Sequence, residues 1–436
     1  MANALMDFTL EEFINWLKQE EIKKAWWVYD FNSNSIISSH KQLEEMGNYF
    51  LANFKDFEQH EGIFIEIGSH SGLLQGAFIH NTNRGQAQGG TRLWYYDKVF
   101  DFFFDGIRLS RGMSYKNSLA GLWWGGGKGV IGTPMDCNVH EPNFRRQIFE
   151  DYGRFISSLK GCYITAEDVG TVTQDMDYIF SQTRYITCIP QEKGGSGNPS
   201  ILTALGVLRG MEGALSALGL GTIEGKTVVV QGAGNVASYL IDELQRKKVG
   251  RIITCDIFDK TLEKAKDRFN RFNNIDYRKV DKDDLSILAE RCDILAPCAT
   301  GGVLNDQTIP GIKAKIICGA ANNQLQDEIR HSHMLKERQI VYVPDFLTNR
   351  MGIVNCANEQ YGYMADDPVY TRHLDYQWEN SVYILTKKVV HESHTHQATT
   401  LDIALRLARE KAQELHPIWP DRSRQIIRSL MDHHWA

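Results

Sequence analysis

At 436 residues, with 42% hydrophobic and 23% charged content, the chain is long enough to bury two cores and has the make-up of an ordinary globular protein. Its formal net charge of −6, with no basic stripe, leaves no electrostatic reason to expect nucleic acid or an anionic membrane as a partner. No apolar run is long enough to span a bilayer, and the opening residues Met1-Ala2-Asn3-Ala4-Leu5-Met6-Asp7 lack the basic and apolar regions of a secretory signal, so the expected location is the cytoplasm.

Apolar spacing predicts a helix from Thr9 to Glu20, with Leu10, Phe13, Ile14 and Leu17 inward, and a second from Gln42 to Phe54. From Gly62 the pattern turns strand-like: Ile63 to Ile67, a polar turn, and Gly76 to His80 read as a hairpin. A helix is then expected from Asp97 to Met113, with Phe102, Gly106, Leu109 and Met113 on one stripe, ending where Lys116 is presented. The run Gly125-Gly126-Gly127-Lys128 reads as a glycine loop that lets backbone approach a small ligand and carries a second lysine to it. Ala166-Glu167-Asp168-Val169-Gly170 follows at strand-to-loop spacing. Two ammonium groups at one closed pocket cannot both keep ordinary pKa values, because like charge and desolvation both favour the neutral amine; one becomes a base. Taken singly, each residue has a plainer reading: Lys128 as a solvated loop cation, Lys116 as a partner of a helix C-terminus, Asp168 as a turn-forming acid.

Beyond Asn198 the register changes. Lys226 to Gln231 is a buried strand, Gly232-Ala233-Gly234-Asn235-Val236-Ala237 the turn into a helix, and Arg251 to Asp256 the next strand. Gly232 permits the tight turn, Gly234 lets a pyrophosphate reach the backbone, and Asn235 and Val236 open the helix whose N-terminus faces the anion. Asp256, ending the second strand, suits a ribose 2′-hydroxyl and repels a 2′-phosphate, which favours NAD over NADP. A tight turn in a domain that binds nothing is the plainer reading of the same glycines. Further strands at Asp293 to Ala296, Lys315 to Cys318 and Ile340 to Val343, with helices between, imply a doubly wound parallel sheet. The eight cysteines form no C-x-x-C pair and fit reduced, buried thiols. His391, His394 and His396 read as a polar loop and no metal is expected. A last helix from Thr399 to Leu415 is expected to pack back on the first domain.

Gly89-Gly90-Thr91-Arg92, Arg111 to Asn117, Gly125 to Lys128, Ala166 to Gly170, Gly232 to Ala237 and Ala321-Asn322-Asn323-Gln324-Leu325, in this order, resemble the Glu/Leu/Phe/Val dehydrogenases, most closely the leucine, valine and phenylalanine branch, over Gly62 to Tyr361. The resemblance implies an α/β protein of two domains flanking a cleft. A mixed-sheet substrate and oligomerisation domain would span 1–190 and be completed by C-terminal helices at about 390–436, and a Rossmann NAD-binding domain would span 191–389. It implies reversible NAD-dependent oxidative deamination of an L-amino acid to a 2-oxo acid and ammonia by a homo-oligomer.

In the roles so implied, Lys116 pairs with the substrate carboxylate, Lys128 holds the carbonyl oxygen or activates water with its pKa lowered by Lys116 and burial, and Asp168 shuttles protons. Thr203, Cys298, Ala299 and Asn322 would lie on the cofactor side, with Cys298 packing rather than reacting, and Asn323 would reach the substrate. Gln88, Gly90, Thr91, Leu93, Met113, Ala166, Ile353 and Cys356 would line a mostly apolar pocket, suited to branched-chain or aromatic side chains. Gln88 departs from both the lysine of the glutamate branch and the apolar residue of the leucine branch, so an acidic substrate lacks its partner. Arg350 and Met351 stand where the family has small residues and are expected at the pocket rim. The rivals are a glutamate dehydrogenase and a non-catalytic NAD-binding sensor or scaffold.

Overall fold

The computed structural model describes residues 2–360, 362, 364 and 366–436; Met1, Tyr361, beyond which the family resemblance becomes more diffuse, Tyr363 and Ala365 lie outside the described residues. The chain divides into two compact units, the first made of Met1–Gly197, Cys356–Tyr363 and Ala408–Ala436, the second of Asn198–Asn355 and Met364–Leu407. These limits differ from the expected ones. The division falls at 197/198 rather than 190/191, and the C-terminal return begins at Ala408 rather than near 390.

The first unit opens with helices α1 (Ala2–Asp7) and α2 (Leu10–Gln19), strands β1 (Lys24–Asp30) and β2 (Ser35–Ser38), and helix α3 (Glu44–Asn53). Thr9 caps α2 reciprocally with Glu12, which fixes the helix start, and Leu10, Phe13, Ile14 and Leu17 are buried as their spacing predicts. Strands β3 (Gly62–Ile67), β4 (Leu74–Asn81) and β5 (Ala87–Tyr95), helix α4 (Val99–Leu119), strand β6 (Gly125–Thr133), helix α5 (Pro142–Ser158), strand β7 (Tyr163–Glu167) and helix α6 (Thr173–Phe180) follow. They form a seven-stranded mixed sheet in the order β2-β1-β3-β4-β6-β5-β7. The β3–β4 hairpin is antiparallel as expected, whereas β5, β6 and β7 run parallel. Between α4 and the sheet lies an aromatic core in which Trp27 meets Phe50 and Phe103 edge-on, each with ring centroids 5.5 Å apart. The expected helix from Asp97 to Met113 is longer than predicted, so Lys116 stands inside its last turns rather than beyond its end.

The second unit holds α7 (Ser200–Ala217), β8 (Thr227–Gln231), α8 (Asn235–Arg246), β9 (Arg251–Asp256), α9 (Asp259–Arg268), β10 (Ile275–Lys279), β11 (Ile294–Pro297), β12 (Ile316–Ile317), α10 (Glu328–Glu337), β13 (Val341–Tyr342) and α11 (Asp345–Thr348). The six strands are all parallel, in the order β10-β9-β8-β11-β12-β13. Strand order therefore reverses between β8 and β11, and in open α/β sheets ligands bind at the carboxyl ends flanking such a switch. Helix α12 (Met351–Glu359) crosses into the first unit, α13 (Pro368–His373) and α14 (Val382–Thr395) return to the second, α15 (Thr400–Ala412) is divided between the two, and α16 (Arg422–Asp432) closes the first. Among the described residues, no helix is long and apolar enough to cross a membrane.

His391 and His394 are helical, on α14, with His396 at its C-cap, in place of the expected loop. No group of three or more ligating side chains is gathered among the described residues. The final expected helix, Thr399 to Leu415, is α15; Leu401 joins the core of the second unit, while the carbonyl of Ala408 accepts from Ser118 Oγ at 2.9 Å within the first.

Candidate active site

The glycine run that reads as a loop is a strand. Gly125 to Lys128 open β6, paired with β4 on one side and β5 on the other. Glycine is a poor strand former, and the reason for it here is space. A Cβ on Gly126 would collide with Ser114 of α4, and one on Gly89 of β5 would collide with the Gly127 carbonyl and stand 3.0 Å from Met113 Cγ. Helix α4 thereby lies close against the strand that carries Lys128, which is 4% exposed.

Lys128 Nζ donates to Asp168 Oδ2 at 2.5 Å. Asp168 follows β7 directly, and its loop is closed by Thr171: the Asp168 N–H donates to Thr171 Oγ1 at 2.9 Å, and that hydroxyl donates to the Asp168 carbonyl at 2.8 Å. Gly90 makes room for this acid, since a Cβ there would stand 2.7 Å from Asp168 Cβ and 2.6 Å from the Glu167 carbonyl oxygen. Burial would raise the Asp168 pKa, but the Lys128 and Arg92 cations outweigh it and hold the carboxyl at about 2. Burial lowers the Lys128 pKa, Asp168 opposes the shift, and Arg92 adds to it. Arg92, whose Nε lies 3.5 Å from Asp168 Oδ2, is thus a crowding cation in this cluster.

Arg92, with Asp105 and Tyr96 behind it, is what sequence reasoning missed. Arg92 Nη1 donates to Asp105 Oδ2 at 2.7 Å, and Tyr96 OH donates to the same oxygen at 2.7 Å. Its signal was present in the quoted Gly89-Gly90-Thr91-Arg92 motif, two residues beyond Gly90 on the same strand.

Lys116 is partly buried on α4, one turn from Met113, so the two share a face of the helix. Gln88 is fully buried. It pairs in register with Gly126, beneath α4, and neither atom of its side-chain amide has a hydrogen-bond partner among the described residues. Ala166 is buried opposite Gly90 in the β5–β7 ladder. Leu93 is buried on β5, with its N–H bonded to the Val169 carbonyl.

Thr91 departs from expectation. Its hydroxyl bonds Thr165 Oγ1, beside Tyr152 and Tyr163, and it crowds the position of a Cβ on Gly129. Gly129 and Lys128 are successive strand residues and point to opposite faces, so Thr91 belongs to a buried polar cluster rather than to the wall around Lys128. Cys356 also turns to a partner of its own, its Sγ 2.7 Å from Cys188 Sγ. Ile353 is buried on α12 in the second unit. Arg350 and Met351 are both fully buried instead of rimming a pocket; Arg350 donates to the Asn380 carbonyl, and Met351 packs where Gly206 leaves space.

In the second unit, Gly232 has φ +98°, a conformation that favours glycine, and a Cβ there would stand 3.0 Å from Ala299 Cβ. The turn after β8 therefore meets the Cys298–Ala299 turn after β11 at the switch point, with the Cys298 N–H bonded to the Gln231 carbonyl. Burial raises the Cys298 thiol to about 12, consistent with packing rather than reaction. Gly234, the N-cap of α8, has open space where a Cβ would sit, so Asn235 and Val236 begin a helix whose first N–H groups can meet an anion. Asp256 accepts from the Ala233 and Phe258 N–H groups, each at 3.0 Å, which ties the second strand to the glycine turn. Thr203 sits in the first turn of α7 and its hydroxyl donates to the Pro199 carbonyl at 3.0 Å. Asn322 Oδ1 accepts from Asn349 Nδ2 at 2.8 Å, and Asn323, with φ +52°, donates its N–H to Asp345 Oδ2 at 2.6 Å. These residues fit an NAD: a glycine turn open to a pyrophosphate, a free helix start, and a carboxylate at the end of the next strand.

The family model described as Glutamate/Leucine/Phenylalanine/Valine dehydrogenase matches residues 194–417, and the model of that family's dimerisation domain matches residues 69–185. The chain belongs to the Glu/Leu/Phe/Val dehydrogenase family. It is an NAD-dependent amino-acid dehydrogenase. It is 42% identical to the leucine dehydrogenase of Geobacillus stearothermophilus over 339 residues, 78% of this chain and 88% of the relative. It is 47% identical to the leucine dehydrogenase of Bacillus subtilis over 298 residues, 68% of this chain and 78% of the relative. Among solved structures, an L-tryptophan dehydrogenase from Nostoc punctiforme is similar with a TM-score of 0.64 and 32% identity, covering 81% of this chain and 96% of that one.

Proposed function

We propose that this dehydrogenase oxidises an apolar L-amino acid, branched-chain or aromatic, to its 2-oxo acid with release of ammonia, and runs the reaction in reverse. The observation that carries the reading is the buried Lys128–Asp168 pair at 2.5 Å, an amine and an acid held ready for proton transfer. Bound NAD supplies the hydride acceptor. Lys116 pairs with the substrate carboxylate and fixes its orientation. Lys128 moves to the substrate oxygen, or to the water that becomes it, and its lowered pKa lets it give and take a proton there. Asp168, at about 2 while Lys128 faces it, gains proton affinity once that cation turns away, and then accepts a proton from the substrate ammonium.

Relatives named leucine dehydrogenase and L-tryptophan dehydrogenase support a range from branched-chain to aromatic side chains. Within it, the buried amide of Gln88, unpartnered among the described residues, favours a substrate with a hydrogen-bonding atom on a large side chain, such as the indole N–H, because an unmet buried polar group penalises a purely aliphatic one. Glutamate is disfavoured, since Gln88 offers its carboxylate no cation. A homo-oligomer in the cytoplasm completes the reading, supported by the match to a dimerisation domain and by the free state of every cysteine; a net charge of −6 gives nucleic acid or an anionic membrane no electrostatic hold.

The test follows NADH formation with a panel of L-amino acids, and NADH consumption with ammonia and the matching 2-oxo acids. Turnover of apolar substrates is expected; silence across the panel would favour a non-catalytic sensor, and turnover of glutamate alone would favour a glutamate dehydrogenase. In the same assay Gln88→Leu is expected to raise the ratio of kcat/KM for leucine over tryptophan by about tenfold, the worth of one buried hydrogen bond. An unchanged ratio would remove Gln88 from the substrate wall.

A further inference from the structure

We propose that Arg92 is a positioning residue that takes over the Asp168 carboxylate when Lys128 leaves it for the substrate, so that the acid stays held in place for the proton transfers. The inference rests on the roles given above to Lys128 and Asp168.

The geometry is that of a hand-over already prepared. The Arg92 guanidinium is anchored at its far end, where Nη1 donates to Asp105 Oδ2 at 2.7 Å. Asp105 is itself fixed on α4 by Tyr96 OH at 2.7 Å, with Arg108 Nη2 3.8 Å away. At its near end, Arg92 Nε is buried and has no hydrogen-bond partner among the described residues, although it lies 3.5 Å from Asp168 Oδ2. Buried N–H groups are nearly always paired, so a lone one directed at a carboxylate just out of range calls for an explanation. Oδ2 is the very oxygen that Lys128 Nζ occupies. A shift of about 0.5 Å, once Lys128 releases it, brings the carboxylate within hydrogen-bond distance of Nε. Lysine has a long flexible stem and is suited to leave; the planar guanidinium, anchored on Asp105 through Nη1, is suited to stay.

Charge supports the same assignment. Asp168 faces Lys128 from β6 and Arg92 from β5, and lies beside Glu167, whose pKa is raised by burial and by the Asp175 and Asp168 charges. Lys128 faces Asp168, Arg92 and, from α4, Asp105. Arg92 lowers the pKa of both members of the catalytic pair, whereas Asp105 raises that of Lys128. Removing the Arg92 charge therefore moves both titrations upward, and removing the Asp105 charge moves Lys128 downward. A merely structural defect lowers the height of a pH–rate profile and leaves its limbs in place.

The experiment compares pH profiles of kcat/KM for amino-acid oxidation in the wild type, Arg92→Gln, Asp105→Asn and Asp168→Asn, with NADH fluorescence titration confirming that each variant binds cofactor. For Arg92→Gln both limbs are expected to rise by about one pH unit, the effect of one opposite charge at this range, with kcat reduced by about tenfold. Asp105→Asn, which keeps the shape, is expected to shift the limb governed by Lys128 the other way, and it stands as the test if Arg92→Gln does not fold. Limbs unmoved in both variants, or moved in the same direction, overturn the proposal. Near-wild-type turnover in Asp168→Asn overturns the roles on which it rests, whereas an inactive Asp168→Asn beside an unshifted Arg92→Gln overturns the hand-over alone.

Discussion

Replacing Lys128 by alanine is expected to lower kcat for amino-acid oxidation by about 10³-fold, within the range that general acid–base groups contribute. Cofactor binding is expected to be unaffected, because the glycine turn, the start of α8 and Asp256 all belong to the other unit. Lys128 is suited to the task by burial, which makes the neutral amine accessible at lower pH than for a solvated lysine. Asp168 cannot take its place, since a carboxyl held at about 2 has little affinity for a proton until a cation is withdrawn from it. Steady-state kinetics with NADH fluorescence titration separates the two effects. Near-native kcat in the variant would remove Lys128 from the chemistry.

The second large effect is on stability. Glu359, at the end of α12, is buried, and its carboxylate accepts from the N–H groups of Cys188 at 2.9 Å, Ile189 at 3.1 Å and Ser196 at 2.8 Å, and from the Ser196 hydroxyl. Four donors converge on one anion, and removing it leaves them unsatisfied inside the protein. Glu359→Ala is expected to cost about 3–5 kcal/mol, which for a unit of this size is a Tm lower by about 10 °C. Glu359→Gln, which keeps an acceptor, is expected to lose less. Differential scanning calorimetry checks both, and a Tm within about 2 °C of wild type for the alanine variant would contradict the account of this anchor.

The βαβ unit of the second sheet was legible because each of its signals has a local cause: Val228 to Val230 form a continuous apolar run, Gly232 needs its positive φ, and Asp256 ends a strand. Helix α4 was read short because a hydrophobic stripe counts buried polar residues as exposed. Its last turns bury Ser114, Asn117 and Ser118, with Asn117 Nδ2 bonded to the Gly125 carbonyl at 2.6 Å, and that burial is visible only once the strand lies against the helix. The Gly125–Lys128 strand was misread for a related reason: glycine argues locally for a loop, and the close approach of Ser114 that demands it is a tertiary fact. Lys128 and Asp168 were found through their motifs. The Arg92 contact with Asp168 depends on the register between β5 and β7, where Thr91 pairs with Glu167, and no spacing along the chain encodes that. The same register turns Thr91 toward Thr165, away from the role its motif suggested.

The most direct test of the account is a crystal structure of the enzyme with NAD and the 2-oxo acid of its best substrate. The account predicts Lys128 Nζ released from Asp168 and within hydrogen-bond distance of the 2-oxo oxygen, with the ligand carboxylate on Lys116. A ligand bound elsewhere, with the Lys128–Asp168 pair still closed, would contradict it.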